Sequence, residues 1–584
     1  MSRKRDPVTL PPSTETRDRT RNVVSELLLH AQEHPNAPAL LLADRTVEYG
    51  RLARWVGQAA QYLRSSGVSE QLVVGLSFRD DASKIVALLA VGWLGATAYS
   101  IPANAGALRR SEMTRVAGVD LVLSDLPPEA ATWETKVVPF SRDHVPEEGW
   151  GVTEPPAIVS HPHGPLFIIT GSGSTGNPKR IPVTHAQVRE RLRTEKQRLG
   201  LTAQDRIGDF SRLDFADPKH WLWDSLMVGA AFVPASAVIS RLRAGDMTML
   251  TLTVYFVERL LQPGAASLWP ALRRLRVFCV GSATVSGDLR RRIKTALCPR
   301  LYVDYGSNEA GLVSILTPDE AAHPGSVGRP LPGVEIQIVD DRARVLPPDR
   351  VGHVRCRSPA VFDGYLNDEG ANQQVFRDGW FYLGDLGFFD QAGHLIFAGR
   401  ADDMMIRDGI NIYPAEIEQV MSWHQAVQDV VAFPARHPVH QAVPLCAVAL
   451  RDRDAATEES LQQFAAERLG ERAPARVVVL ERIPRNQQGK IQRARLHRTV
   501  NRAIDPASEQ RDHAVQLEDS GHLVRIGGRL YPRIDLSRDA RMQLANVEAA
   551  DREIERLIQR LDIARTARAT YARALREELS KDRH

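Results

Sequence analysis

At 584 residues the chain is longer than one hydrophobic core ordinarily supports, so two or more domains are expected. Its 75 basic and 71 acidic residues leave a net charge of only +4, a balance that gives no reason to invoke nucleic acid. Four widely separated cysteines, Cys279, Cys298, Cys356 and Cys446, lack CxxC spacing and suit reduced core thiols in a cytoplasmic protein better than a metal site or a disulfide framework.

The first twenty residues are polar and, despite Arg3, Lys4 and Arg5, contain no apolar stretch of signal-peptide length; residues 1–24 read as a disordered arm. From Ser25 to about Phe397, amphipathic stretches alternate with short strand-like runs such as LVVGLSF, DLVLSD, LFIIT, LRVFCV and VEIQIVD. That alternation predicts α/β layers. The apolar run Ile85 to Ala98 contains glycine and is too short to span a membrane. LFIIT reads as a buried strand that delivers the loop TGSGSTGNPK, Thr170 to Lys179. Gly171, Gly173 and Gly176 let backbone amides approach an anion, Ser172, Ser174 and Thr175 offer hydroxyls, and Lys179 adds a positive charge. The P-loop pattern fails, because Asn177 follows Gly176 where Lys and then Ser or Thr are required. On these residues alone, a phosphate cradle and a plain connection both remain open.

Beyond Gly399, YPAEIEQVMSWH reads as a helix started by Pro414, VQDVVAFP and LCAVAL as strands, and EESLQQFAAERL as a second helix. Ala503 to Gly521 is polar and reads as linker, and HLVRIGGRLYP as a hairpin turning at Gly527-Gly528. The chain closes on a long helical pattern: Val547, Ala550, Ile554, Leu557, Leu561, Ala564, Tyr571 and Leu575 recur at heptad-like spacing, interrupted by Arg568. Such a stripe points to a helix laid on a partner surface, self-association among the choices.

Several motifs in a fixed order then resemble one family. The loop from Ser172, YGSNEAG at Tyr305 to Gly311, GWFYLGDLG at Gly379 to Gly387, GRADDMMIRDGINIYPAEIE at Gly399 to Glu418 and RNQQGKIQR at Arg485 to Arg493 look like the motifs of the adenylate-forming superfamily of acyl-CoA synthetases, nonribosomal peptide adenylation domains and luciferases. VEYGRLA at Val47 to Ala53 and LLAVGWLGATAYSIPANA at Leu88 to Ala105 resemble its two earlier motifs. Gly171 stands where Ser or Thr is usual, and Arg180 where Gly commonly follows the Lys. The resemblance covers roughly Ser25 to Leu496. It implies a large multi-layer α/β core (25–398) and a smaller mobile α+β lid (399–496), followed by a linker (497–521) and a hairpin-plus-helix module (522–584). Leu523 to Leu579 also resembles a small bacterial and phage protein family of unknown function. Asp519-Ser520 is similar to the phosphopantetheine-bearing pair of carrier proteins, but Gly521 follows and no four-helix pattern surrounds it.

What the resemblance implies is acid activation. A carboxylate is a poor electrophile, and attack on the α-phosphate of ATP converts it to a mixed anhydride, so the site must hold a triphosphate and neutralise charge on the transferred group. By resemblance Ser172, Gly173, Ser174, Thr175, Gly176 and Lys179 cradle the pyrophosphate end, and Glu309 coordinates magnesium. Asn308, where Thr is usual, and Gly306 border the phosphate. Gly281, Ser282 and Ala283 resemble the adenine-lining turn, Tyr305 would stack on adenine, Asp385 would accept from the ribose hydroxyls, and Arg400 would support ribose and phosphate. Lys490 resembles the catalytic lysine that bridges carboxylate and α-phosphate. In a second half-reaction the lid would swing about Asp402, bringing the stretch near Arg407 to Asn411 over a pantetheine tunnel; the usual Gly-Gly there is Asp408-Gly409.

For the substrate, Phe215-Ala216 occupies the place of the Phe-Asp pair of amino-acid-activating relatives, with Asp214 and Asp217 flanking it. Loss of that Asp argues against an ordinary α-amino acid. Trp221, Trp223 and Phe232 read as core aromatics rather than pocket walls. The expectation is an acyl- or aryl-acid ligase using ATP, Mg2+ and coenzyme A. The alternatives are a stand-alone adenylation enzyme that loads a carrier protein, and a silent scaffold binding partners through its tail.

Overall fold

A computed structural model describes residues 22–126, 133, 135–141, 156–159, 161–171, 179–320, 323, 325–403, 405–407, 410–436, 442–452, 454–485, 491–504, 516–517, 523–526, 529–532 and 537. By contacts the chain divides into two compact units between Arg493 and Ala494.

Two large sheets form the first unit's interior. A six-stranded sheet orders Lys136–Pro139, Leu121–Ser124, Val73–Ser77, Thr97–Ser100, Pro165–Gly171 and Lys179–Thr184, parallel except for its last pair. A nine-stranded sheet contains β1 (Val277–Gly281), β2 (Leu301–Ser307) and β3 (Gly311–Leu316) beside Met249–Thr253, Arg206–Asp209, Ala231–Val233 and Pro38–Leu41. From Pro38–Leu41 to β2 its strands are parallel, and all five residues of β1 are buried. Burial on both faces explains why these strands read as continuous apolar runs rather than alternating ones. Alternate residues serve different cores: Val277 and Cys279 join the cluster shared with Val74 and Leu76 of the six-stranded sheet, whereas Phe278 and Val280 join Leu250, Leu252 and Val233 on the other face.

Ile85 to Ala98 divides between the buried helix Asp81–Trp93, capped by Asp80 accepting from Ser83 N at 2.8 Å, and the strand Thr97–Ser100. No helix among the described residues is long and apolar enough to cross a membrane. All four cysteines are buried free thiols.

Two helices prepare the site. In α1 (His185–Leu199) Thr184 and Gln187 form a reciprocal capping box, and left-handed Gly200 (φ 61°) ends it, so both boundaries are written in side chains. In α2 (Ala216–Val228) Phe215 holds the N-cap position and Gly229 (φ 78°) the C-cap. Trp221, Trp223 and Phe232 are buried in the core, as expected.

A third, antiparallel sheet carries β4 (Trp380–Phe389) and β5 (Leu395–Arg400) beside Glu335–Val339, Gly352–Arg357 and Phe376–Arg377. After it, Met405–Arg407 pairs with Ile410–Ile412, and Val427–Arg436, Ala442–Leu450 and Arg476–Leu480 form a three-stranded sheet. The helices Pro414–Ser422 and Glu458–Leu469 match the expected segments, with Pro414 in the first turn.

Three boundaries differ from expectation. Asn22 to Val24 belong to the folded core rather than to an arm: Val23 and Val24 are buried, and Asn22 Nδ2 donates to the Gly92 and Val159 carbonyls at 2.7 and 2.8 Å. The helix Arg493–Ile504 runs through position 496, because its apolar positions continue past the last motif. Within the expected linker, Gln516–Leu517 pairs with Leu523–Ile526, which pairs in turn with Arg529–Pro532 about the Gly527-Gly528 connection. The Val547 to Leu575 stripe and Asp519-Ser520 lie outside the described residues.

Candidate active site

The strands Pro165–Gly171 and Lys179–Thr184 pair antiparallel with Gly171 opposite Lys179, so a buried strand does deliver the Gly/Ser loop. Ser172, Gly173, Ser174, Thr175 and Gly176 lie outside the described residues. Lys179 is described, and its Nζ sits 4.6 Å from the centre of the Tyr365 ring. The Tyr365 hydroxyl donates to Glu309 Oε1 at 2.9 Å. A cation and a carboxylate are therefore bridged by one aromatic ring. Burial, then the Glu309 charge, push the Tyr365 phenol up, so it stays a donor.

Glu309 occupies a three-residue connection between β2 and β3, where Ser307 pairs with Gly311. Gly311 (φ 71°) supplies the left-handed residue that such a connection needs. The connection is tight enough that a Cβ at Gly306 would lie 2.1 Å from the Gly311 carbonyl oxygen. Asn308 is held through its main chain, its carbonyl accepting from Arg191 Nη2 at 3.0 Å.

Midway along β4, opposite Arg400 at the end of β5 and beside Tyr305 of β2, Asp385 collects two donors. Its Oδ2 accepts from the Tyr305 hydroxyl at 2.6 Å and its Oδ1 from Arg400 Nη1 at 2.8 Å. Arg400 Nη1 also donates to the Leu383 carbonyl at 3.0 Å. Burial pushes the Asp385 carboxyl up, opposed by the Arg400 charge. Each carboxylate oxygen has a second lone pair, so acceptor capacity remains for a diol. Tyr305 packs tilted against Phe397, ring centres 5.9 Å apart. The resemblance pointed to the ring as an adenine-stacking surface and did not indicate the hydroxyl as a support for Asp385.

The Gly281 to Ala283 turn follows β1. A Cβ at Gly281 would lie 1.6 Å from Asp304 Oδ1, so only glycine fits beside that side chain. Ser282 has φ 66° and donates through Oγ to Asp217 Oδ2 at 3.1 Å, which ties this turn to the first turn of α2. Asp214 is neutralised by Lys84 and by Arg212 Nε at 2.9 Å. Asp402 is described and exposed, whereas Asp408, Gly409 and Lys490 lie outside the described residues.

Reasoning from sequence missed Tyr365 and Arg191. Both stand between motifs, and the signals that could have found them are an aromatic in GYLND and a charged residue on the buried face of a capped helix. The donor sets suit the groups that such a site would take: an oxygen ligand beside a lysine for a magnesium-bound phosphate, and a buried carboxylate for a ribose.

The sequence profile described as AMP-binding enzyme matches residues 28–366, more than half of the chain. The chain belongs to the AMP-binding enzyme family. The profile of that family's C-terminal domain matches residues 416–490. Among relatives, oxalate–CoA ligase of Arabidopsis thaliana is 28% identical over 494 residues, 79% of this chain and 95% of the relative. A fatty acid–[acyl-carrier-protein] ligase of Streptomyces coeruleorubidus is 26% identical over 512 residues, 82% of this chain and 96% of the relative. Among solved structures, o-succinylbenzoate CoA synthetase of Bacillus subtilis with its acyl-adenylate intermediate superposes with a TM-score of 0.70 at 25% identity, covering 81% of this chain and 97% of that one. The two profile matches together lie between residues 28 and 490.

Proposed function

We propose that this AMP-binding enzyme is an acid–thiol ligase: it activates a carboxylic acid with ATP as an acyl-adenylate, releases pyrophosphate, and passes the acyl group to coenzyme A. The observation that carries this reading is the placement of two carboxylates. Glu309 is bridged to Lys179 by Tyr365, and Asp385 is held by Tyr305 and Arg400; we assign the first to the phosphates and the second to the ribose.

In this reading Asp385 accepts from the ribose hydroxyls while Tyr305 both supports it and offers a ring to adenine. The close approach at Gly281 keeps the adenine-side turn flat. Lys179, with Ser172 to Gly176, neutralises the β- and γ-phosphates, and Lys490 neutralises the carboxylate and α-phosphate as they meet. Glu309 would hold magnesium, which when bound would supply positive charge to the leaving pyrophosphate. The acid's oxygen bonds to the α-phosphorus as the bond to pyrophosphate breaks. Thiol sulfur then bonds to the acyl carbon and AMP leaves. The core, from Asn22 through the end of β5 at Arg400, binds the nucleotide in both steps, and the lid that follows turns about Asp402 between them. Ala216 offers no carboxylate and Asp214 is already paired with Lys84 and Arg212, which argues against an ordinary α-amino acid and leaves Asp217, bonded to the Ser282 hydroxyl, as the flanking carboxylate that could still meet an amine. The buried free thiols suit a cytoplasmic protein.

A second reading has one supporting observation: the relative that acts on an acyl-carrier protein is matched over nearly its full length. A pyrophosphate-release screen over aryl, fatty and amino acids, with and without coenzyme A, tests both. Release with one acid class, followed by thioester formation with coenzyme A, is the expected result. Adenylate formation that coenzyme A never discharges would favour a carrier protein, and no release with any acid would overturn the function.

A further inference from the structure

Four ionisable side chains inside the core have no part in the reading above. Arg191 and Glu195 are one turn apart on α1, and His220 and Asp224 one turn apart on α2, a spacing that puts each pair on one helix face. Arg191, Glu195 and Asp224 are 5%, 0% and 0% exposed. Charged groups do not persist at that depth without compensation.

The Arg191 guanidinium faces the connection between β2 and β3. Its Nη2 donates to the Asn308 and Glu309 carbonyls at 3.0 and 3.3 Å, and its Nε to the Ala360 carbonyl at 3.4 Å. Phe362 N reaches the same Glu309 carbonyl at 2.8 Å. A Cβ at Gly311 would lie 2.9 to 3.0 Å from the Arg191 side chain, so that glycine leaves the guanidinium the room it occupies.

Behind Arg191, His220 Nε2 lies 2.7 Å from Glu195 Oε2 and 3.6 Å from Asp224 Oδ2. Glu195 Oε1 and both Asp224 oxygens are buried with no hydrogen-bond partner. The three residues' ligand-type atoms fall within 4.8 Å of one another, so either a metal ion or shared protons would satisfy them. Geometry favours protons. A 2.7 Å contact is a hydrogen-bond length, whereas two tetrahedral zinc ligands at their usual bond lengths stand roughly 3.3 Å apart. Burial pushes the Glu195 and Asp224 carboxyls well up, toward the protonated form that carboxyls sharing protons require.

We propose that Arg191 is a positioning residue for Glu309, and that Glu195, His220 and Asp224 form a buried proton-sharing set that keeps Arg191 in place and in charge balance. Because α2 also carries Asp217, which accepts from Ser282, this set joins the adenine-side turn to the turn that carries the metal ligand. The inference rests on the reading of Glu309 as the magnesium ligand.

Calorimetric titration of ATP into the full chain, with and without Mg2+, tests it without knowledge of the acid. Arg191→Gln should lose at least about tenfold of the Mg2+-dependent gain in affinity while Mg2+-free ATP binding is retained, and Arg191→Lys should restore part of the gain. Glu195→Gln, which keeps the shape and removes Arg191's counter-charge, should lose a smaller part, and it decides the matter if Arg191→Gln does not fold. A full Mg2+ gain in these variants would overturn the positioning role while leaving the ligase function intact. Wild-type protein that binds no ATP at all would overturn both. Stoichiometric metal in the purified chain, with a melting temperature that drops on chelation, would replace the proton-sharing set with a metal site.

Discussion

Core and lid hold their chemical groups in different ways. In the core, each described candidate is fixed by neighbours: Asp385 by Tyr305 and Arg400, Glu309 by Tyr365 through its side chain and Arg191 through its main chain. The lid has a separate small core built on Met405, Ile417, Met421, Val448 and Leu461. Its candidates stand in sequence between paired elements: Asp408-Gly409 between Arg407 and Ile410, which pair, and Lys490 just before Ile491, which pairs with Arg485. Among the described residues one tie between the two is Arg451, whose Nη2 donates to Asp288 at 2.9 Å. The difference teaches a division of labour. On the proposed function, core groups serve the nucleotide throughout and lid groups enter one at a time, so core substitutions should damage both half-reactions and lid substitutions only one.

The largest effect expected is that of Lys490→Ala. Removing a charge that acts on the developing transition state costs about 100- to 1,000-fold in comparable sites. Adenylation, followed by pyrophosphate release, should fall by that order, while thioester formation from a supplied acyl-adenylate survives. Equal loss of both steps would break the division between core and lid.

Asp385→Ala should come next and should weaken ATP binding by about 1.5–3 kcal/mol, the range for hydrogen bonds to a charged acceptor. Direct titration reads it, and because the residue belongs to the core, both half-reactions should suffer. Unchanged ATP affinity would remove Asp385 from the ribose.

The two regions can also be separated by pH. Burial pushes Asp209 in the core and Glu418 in the lid up to about 7 each, with the Asp217 charge adding to the first. An acid whose folded pKa is raised holds its proton in the native state after the unfolded chain has released it, so each group lowers stability as pH rises from about 4 to 7. Asp209→Asn and Glu418→Gln should each flatten that decline, by on the order of 1–3 kcal/mol. Thermal scans across this window should show the first change in the core's transition and the second in the lid's. An unchanged slope in either variant would show that its carboxyl is ionised in the folded protein.

Much of this was legible in the sequence because local rules and motifs agreed. The helices Glu458–Leu469 and Pro414–Ser422 and the strand Val277–Gly281 announce themselves by capping, periodicity and continuous apolar character. Tyr305, Glu309, Asp385 and Arg400 were named from motifs, and the structure brings Tyr305, Asp385 and Arg400 into direct contact. What stayed hidden was the support. Arg191 with Glu195 and His220 with Asp224 look like ordinary solvated pairs at helical spacing, and only the three-dimensional packing of α1 against α2 shows them to be buried. Tyr365 likewise acts through a partner 56 residues away, a separation that no local pattern reports.

Asp408→Gly sharpens the comparison from the lid side with a smaller effect. It restores the small residue expected beside the approaching thiol, so single-turnover transfer to coenzyme A should accelerate modestly and adenylation should not change. Slower transfer would assign Asp408 a role in orienting the acceptor.

The smallest effect on chemistry should come from the C-terminal residues. Truncation after Ile504 keeps the helix Arg493–Ile504 whole, which a cut at Leu496 would not. Every group assigned to acid activation lies upstream of it, so pyrophosphate release should be unchanged. The apolar stripe from Val547 to Leu575 would be too large to leave exposed on an isolated helix, so its loss should appear instead as a change in oligomeric state or in carrier engagement, read by light scattering. A truncated chain that stays folded and monodisperse but no longer releases pyrophosphate would mean that the tail completes the active site, and that the chemistry is not confined to core and lid.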